Sequence, residues 1–161
     1  MSDARISSHL PIIFSIAVAL LLSIAPIPDS AEPFRPTWVL LTLIYWAMTL
    51  PDNYSVGSAW IAGLILDVAQ GTLLGQHAIG LSLVIYVTVK FHLQLRQFPM
   101  MQLSITVFAL LALYQFILFW INGVAGVNSE SVIYWGPVLT GTLIWPLLNI
   151  VFVGIRQRAR G

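Results

Sequence analysis

The sequence has no cysteine, and only 8% of its 161 residues are charged. The first absence removes disulfides, thiolate nucleophiles and cysteine-based metal sites. The second removes a water-soluble fold, since soluble proteins carry about 25% charged residues and a domain this small needs them to cover its surface. A net charge of +1 gives no reason to expect nucleic acid as a partner. The three histidines, His9, His77 and His92, fall at the N-terminal edge, in an outer loop and in an inner loop, without metal-ligand spacing. No Ser-His-acid group assembles at one depth, no glycine-rich loop carries a lysine, and no acids pair for glycosyl chemistry. The chain is therefore expected to have no catalytic, cofactor-binding or metal-binding residue, to need no cofactor, and not to be an enzyme.

Apolar residues are abundant, at 58% with a mean hydropathy of +0.90, and they come in long blocks divided by proline, glycine and charge. One bilayer crossing takes about 20 such residues in a helix. The expected fold is an all-α integral membrane protein: one transmembrane domain over residues 1–161, a single bundle of six helices with nothing left for a domain outside the membrane. The blocks predict helices at about 10–27, 36–51, 56–71, 78–94, 102–123 and 134–155. The first lacks a small-x-small cleavage site and reads as a retained helix rather than a signal peptide. The second is short, opened by Pro36 and closed by Pro51. The third is the least apolar and holds Asp67, so a five-crossing arrangement with that block partly inserted stays open.

Basic residues orient the bundle. With both termini in the cytoplasm, Arg5, Lys90, Arg96, Arg156, Arg158 and Arg160 lie on the cytoplasmic side and only Arg35 lies outside, a strong positive-inside bias. The acids Asp29, Glu32 and Glu130 fall outside. Trp38, Tyr45, Trp46, Trp120, Tyr134 and Trp135 stand near predicted helix ends, where amphipathic rings anchor at the membrane interface.

Asp67 is the acid inside an apolar block, and an intramembrane carboxylate normally faces protein or a cavity. Through it runs a four-residue repeat of small residues, Ser55, Ala59, Gly63, Asp67, Gly71 and Gly75, which lets another backbone approach closely. Gly71 and Gly75 are expected in the turn that ends the helix. Three states are open for Asp67: an ion pair with Arg35, directly or bridged by Gln70 or water; a protonated acid bonded to a carbonyl; or a site for a partner's base. Ser15, Ala19 and Ser23 form a second small-residue stripe on helix 1, expected to pack against another helix, of this chain or of another, and the face more available to a partner if the Asp67 stripe is used internally. Pro146 predicts a kink in the last helix, with Thr140 and Thr142 placed to offset the freed groups. The tail Arg156-x-Arg158-x-Arg160 suits anionic lipid headgroups or a topogenic signal, and His92 suits a headgroup contact.

The run Phe34-Arg35-Pro36-Thr37-Trp38-Val39-Leu40-Leu41, followed by Tyr45-Trp46 and Leu50-Pro51, resembles the second helix of the rod shape-determining protein MreD family. Gly63-Leu64-Ile65-Leu66-Asp67 followed by Gly71-Thr72-Leu73-Leu74-Gly75 resembles its third, and Trp145-Pro146 matches the last helix of proteobacterial members. The likeness covers essentially the whole chain. Arg35, Pro36, Trp38, Gly63, Asp67, Gly71 and Gly75 fall on the family's motifs as packing or partner-contact candidates, and there is no family catalytic residue to carry over. Some relatives have an acid where Tyr114-Gln115 stands here, which weakens any acidic partner site in that helix. The resemblance implies a multi-pass subunit of the bacterial inner membrane, a scaffold in the cell-elongation complex that controls rod shape and lateral peptidoglycan synthesis. Its implied partners are an MreC-type bitopic protein, a RodA-type glycosyltransferase with its penicillin-binding transpeptidase, actin-like MreB filaments, directly or not, and membrane lipid. The family also resembles the substrate-binding subunits of energy-coupling-factor transporters, so a small-molecule-binding subunit of a vitamin-type transporter is the alternative. A lipid-handling protein, a third reading, would need a polar path between helices.

Overall fold

The computed structural model describes residues 2–128 and 132–160, with side chains from 9 to 128 and from 132 to 158. Glu130 and the side chains of Arg5 and Arg160 lie outside the described residues. Among those described, all regular structure is helical: α1 (Ser2–Ile24), α2 (Trp38–Thr49), α3 (Val56–Gln70), α4 (Gln76–Lys90), α5 (His92–Gln97), α6 (Met100–Val124) and α7 (Gly136–Arg160). Short 3-10 turns at Glu32–Phe34 and Val132–Trp135 precede α2 and α7. Sequential helices pack as pairs, α1 with α2, α3 with α4 and α6 with α7. By length and composition, α6 and the segment Val132–Arg158 are apolar enough to cross a membrane.

α2 is the hub, touching α1, α4, α5 and α7. Every residue from Val39 to Thr49 is buried. A helix apolar all round belongs inside protein. At 12 residues it is about 18 Å long, well short of an approximately 30 Å hydrocarbon layer. Enclosure by neighbours removes the need for a lipid-spanning length. Tyr45 and Trp46 are consequently core residues rather than interfacial anchors. Tyr45 stacks on Phe152 at 4.9 Å, and Trp46 donates its indole N–H to Ser15 Oγ at 2.9 Å.

That last bond shows which helix the helix 1 stripe packs against. Ser15, Ala19 and Ser23 are buried, packed inward rather than offered to a partner. Ser15 and Ser23 also donate to the carbonyls of Ile12 and Ala19, so the stripe is used up within the fold.

Helix boundaries differ from the sequence reading in three places. α1 begins at Ser2 and carries Pro11 within it, rather than beginning near residue 10. The fourth block breaks at Phe91 instead of running to 94. There His92 Nδ1 donates to the Val89 carbonyl at 2.6 Å at the end of α4, which gives this histidine a capping role. The last block starts with the Val132–Trp135 turn and continues to Arg160. Within α7, Thr140 and Thr142 bond the carbonyls of Gly136 and Val138, one turn before each, and so do not serve the groups freed by Pro146.

The short α5 follows from the α4 break and aims Arg96 back at α2. Arg96 Nε donates to the Met48 carbonyl at 2.7 Å and Nη2 donates to that of Thr49. The last carbonyls of a helix have no intrahelical donor, and a cation there also complements the helix dipole. Arg96→Met is expected to cost about 1–3 kcal/mol, because two carbonyls lose charged donors. Arg96→Lys, with one ammonium in place of a planar fork, should recover part of it. Thermal unfolding in detergent reads the difference; equal melting of Arg96→Met and wild type would refute the capping role. On the same side, Tyr54 follows α2 and shares a hydrogen bond of 3.0 Å with His9 Nδ1, and burial pushes its hydroxyl above its usual range.

Candidate functional site

α3 and α4 approach along the small-residue stripe. A Cβ on Gly63 would stand 2.3 Å from Ala78 Cα, a distance only glycine permits. α3 ends at Gly71 in the left-handed region (φ 66°), with its N–H returned to the Asp67 carbonyl. A turn with a second left-handed glycine, Gly75 (φ 97°), leads directly into α4. This tight reversal puts the first N–H groups of α4 over the Asp67 side chain.

Asp67 is 1% exposed, and all its contacts are donors. Oδ2 accepts from Gly75 N–H at 2.8 Å; Oδ1 accepts from His77 N–H at 3.0 Å and from Thr72 Oγ1 at 2.9 Å. His77 Nδ1 lies 2.7 Å from Oδ1 and, facing a carboxylate, carries the proton. Asp67 thus works as a remote N-cap: an anion at a helix start whose own N-cap residue, Gly75, has no side chain to offer.

The anticipated Asp67–Arg35 pair does not form. Arg35 Nη1 donates to the Ser23 carbonyl, while Nη2 donates to Ala25 O at 2.6 Å and to Glu32 Oε2 at 3.1 Å. It caps the C-terminal carbonyls of α1 as Arg96 caps those of α2. The pair fails because each charge has a nearer helix end to serve. His77, expected in an outer loop, is instead buried in the first turn of α4 and shares a depth with an acid.

Above Asp67, the end of α1, the starts of α2, α4 and α7, and the ends of α3 and α6 line an open cavity of about 720 Å³. Arg35, Pro36 and Ser23 line it, together with Gln76 and Asn122, which the sequence reading did not single out, and His77, Gln115 and Tyr134, which it had placed in other roles. These polar side chains form a chain of bonds. Gln76 Nε2 donates to Asn122 Oδ1 at 3.0 Å, Asn122 Nδ2 reaches Tyr134 Oη at 3.3 Å, and Gln115 Nε2 donates to the Tyr134 carbonyl at 2.9 Å. The usable signal was carboxamides in otherwise apolar helices, at the ends for Gln76 and Asn122 and in the interior for Gln115. Among the described residues, no cluster of three His, Asp or Glu side chains could hold a metal.

A family model for the rod shape-determining protein MreD matches residues 4–155. The chain belongs to the MreD family. The rod shape-determining protein MreD of Haemophilus influenzae is 27% identical over 146 residues, covering 89% of this chain and 88% of that one. No solved structure matches. In this MreD chain the motif residues divide by task. Gly63 sets the α3–α4 distance, Gly71 and Gly75 make the reversal, Asp67 caps α4, and Arg35 caps α1. Pro36 lines the cavity, and Trp38 packs partly buried on the core at the start of α2. Arg156 and Arg158 lie in the last turns of α7.

Proposed function

We propose that this chain is a multi-pass subunit of the bacterial inner membrane that acts, without catalysis, as a scaffold for cell elongation. It forms one transmembrane unit with both termini in the cytoplasm. It supports rod shape and lateral peptidoglycan synthesis by binding an MreC-type bitopic protein, and through it a RodA-type glycosyltransferase, its transpeptidase and MreB filaments. The family match over residues 4–155 carries this reading. Charge placement supports the topology: Lys90, Arg96, Arg156 and Arg158 follow or end helices that run toward one end of the bundle, whereas Arg35 follows α1 at the cavity end. The lower end then faces anionic lipid with the α7 tail, each basic residue contributing about 1 kcal/mol near the surface. Because both small-residue stripes pack inside, a partner must use outward helix faces and short loops.

Co-expression of a tagged chain with an MreC-type protein, followed by purification in native lipid, tests the proposal. Stable co-purification is expected, and depletion should turn rods into spheres. Separation of the two proteins together with normal cell shape on depletion would overturn it. The cavity favours one second reading, a small-molecule-binding subunit of a vitamin-type transporter. Solute uptake that depends on this chain would establish that reading; ligand binding alone would not.

A further inference from the structure

The outer wall of the bundle is uneven in height. α1, α3, α4, α6 and α7 touch in that order and α7 meets α1 again, so these helices ring α2. On one side of the ring stand α6 and α7, 25 residues each and so about 37 Å long. On the other stand α3 and α4, 15 residues each, which gives at most about 22 Å. Tilting a helix shortens its span and never lengthens it. Beyond both ends of this pair the backbone is irregular. Residues 50–55 precede α3, the reversal at 71–75 joins the two helices, and α4 breaks at Phe91. Lipid-exposed irregular backbone does not sit in hydrocarbon, because nothing there satisfies its N–H and C=O groups. The exposed Leu73 and Leu74 of the reversal therefore do not lengthen the apolar layer. Exposed polar residues mark the same limits: Asp52 and Asn53 before α3, Gln70 at its end and Lys90 at the end of α4.

We propose, on the membrane-spanning reading given above, that the α3–α4 side binds a thinned lipid annulus and selects short acyl chains, while the α6–α7 side takes lipids of ordinary length. A hydrocarbon layer of about 30 Å would overrun the short pair by about 8 Å. Each backbone group left unsatisfied there costs more than thinning the lipid by an ångström. The surface of the pair suits acyl chains. Its exposed large side chains include Trp60, Ile61 and Ile65 on α3 and Ile79, Leu83 and Tyr86 on α4. A helix from another chain would seat best on small residues, and those at the middle of α3, Ala59, Ala62 and Gly63, are buried within the fold.

The chain has no native cysteine, so one introduced cysteine can carry a fluorophore. Leu83→Cys and Ile61→Cys label the short side, and Leu147→Cys labels the middle of α7. Each full-length variant, checked for wild-type melting, is reconstituted in mixtures of dimyristoleoyl- and dierucoylphosphatidylcholine with one lipid brominated at a time, so that quenching reports which chain touches the label. The short lipid should be favoured about threefold at Leu83 and Ile61, and should hold no such advantage at Leu147. The same chain preference at all three positions, or a preference for the long lipid on the short side, would overturn the proposal. So would quenching at Leu147 with none at Leu83 and Ile61, since protein rather than lipid would then cover α3 and α4. Absence of lipid quenching at every position would instead remove the membrane-spanning reading, and this inference with it.

Discussion

Asp67→Leu is expected to destabilise the protein by about 3–5 kcal/mol, a large part of a typical folding free energy of about 5–15 kcal/mol. Leucine fills the space but accepts nothing. The N–H groups of Gly75 and His77, the Thr72 hydroxyl and the His77 ring would lose their acceptor together. For a chain of this size the loss corresponds to a melting temperature roughly 10 °C lower, or to failure to accumulate in the membrane. Asp67→Asn keeps one acceptor oxygen but turns an NH₂ toward other donors, so it should fall between. The double reversal Asp67→Arg with Arg35→Asp should be no better than either single reversal, because the two charges serve different helix ends. Rescue by the double reversal, or wild-type melting of Asp67→Leu, would show that the carboxylate has another partner.

Gly63→Ala should be nearly as damaging as a much larger substitution. The added Cβ would meet Ala78 Cα at 2.3 Å, Ala78 N at 2.5 Å and His77 C at 2.9 Å, all backbone atoms that no rotamer change can move. Separating the helices costs about 1–3 kcal/mol or more for overpacking. It also draws the start of α4 away from Asp67, so the capping loss adds to the steric one. Ala78→Gly should not rescue it, since the clash is with Cα and N rather than with the alanine methyl. Gly57→Ala is the matched control. Nothing lies within 4 Å of a Cβ there, and removing a helical glycine gains up to about 1 kcal/mol. Thermal unfolding of the four proteins in one detergent should show Gly57→Ala at or above wild type, with Gly63→Ala and the double variant far below. Wild-type stability for Gly63→Ala would mean that α3 and α4 are farther apart than the structure has them.

Both predictions concern positions the sequence had already marked, but their partners were not legible there. The four-residue spacing through Gly63, Asp67, Gly71 and Gly75 pointed to a close helix contact followed by a turn. It gave no indication that the contact is with the very next helix, or that the turn is tight enough for Asp67 to cap it. Arg35 looked like the natural counter-charge because it is the basic residue nearest in depth. Helix geometry gives it the α1 carbonyls instead, and a carbonyl pair in an apolar setting competes well for a guanidinium. His77 was assigned to a loop because Gly75 ends a hydrophobic block. In fact Gly75 is the N-cap of the next helix, and the histidine lies in its first turn.

By itself, the sequence determined the helical, membrane-suited character of the chain, the order of its apolar blocks and the placement of its few charges. Those follow from composition and from the need of every backbone group for a partner where water is scarce. Only the tertiary structure decided which helix is central, which small-residue stripes are consumed inside, and which polar side chains meet around the cavity. The reason is physical. In lipid, the outward and inward faces of a helix are both apolar, so the periodicity that marks the core of a soluble helix is largely missing. α2 reads as one more short apolar block until its neighbours are in place around it.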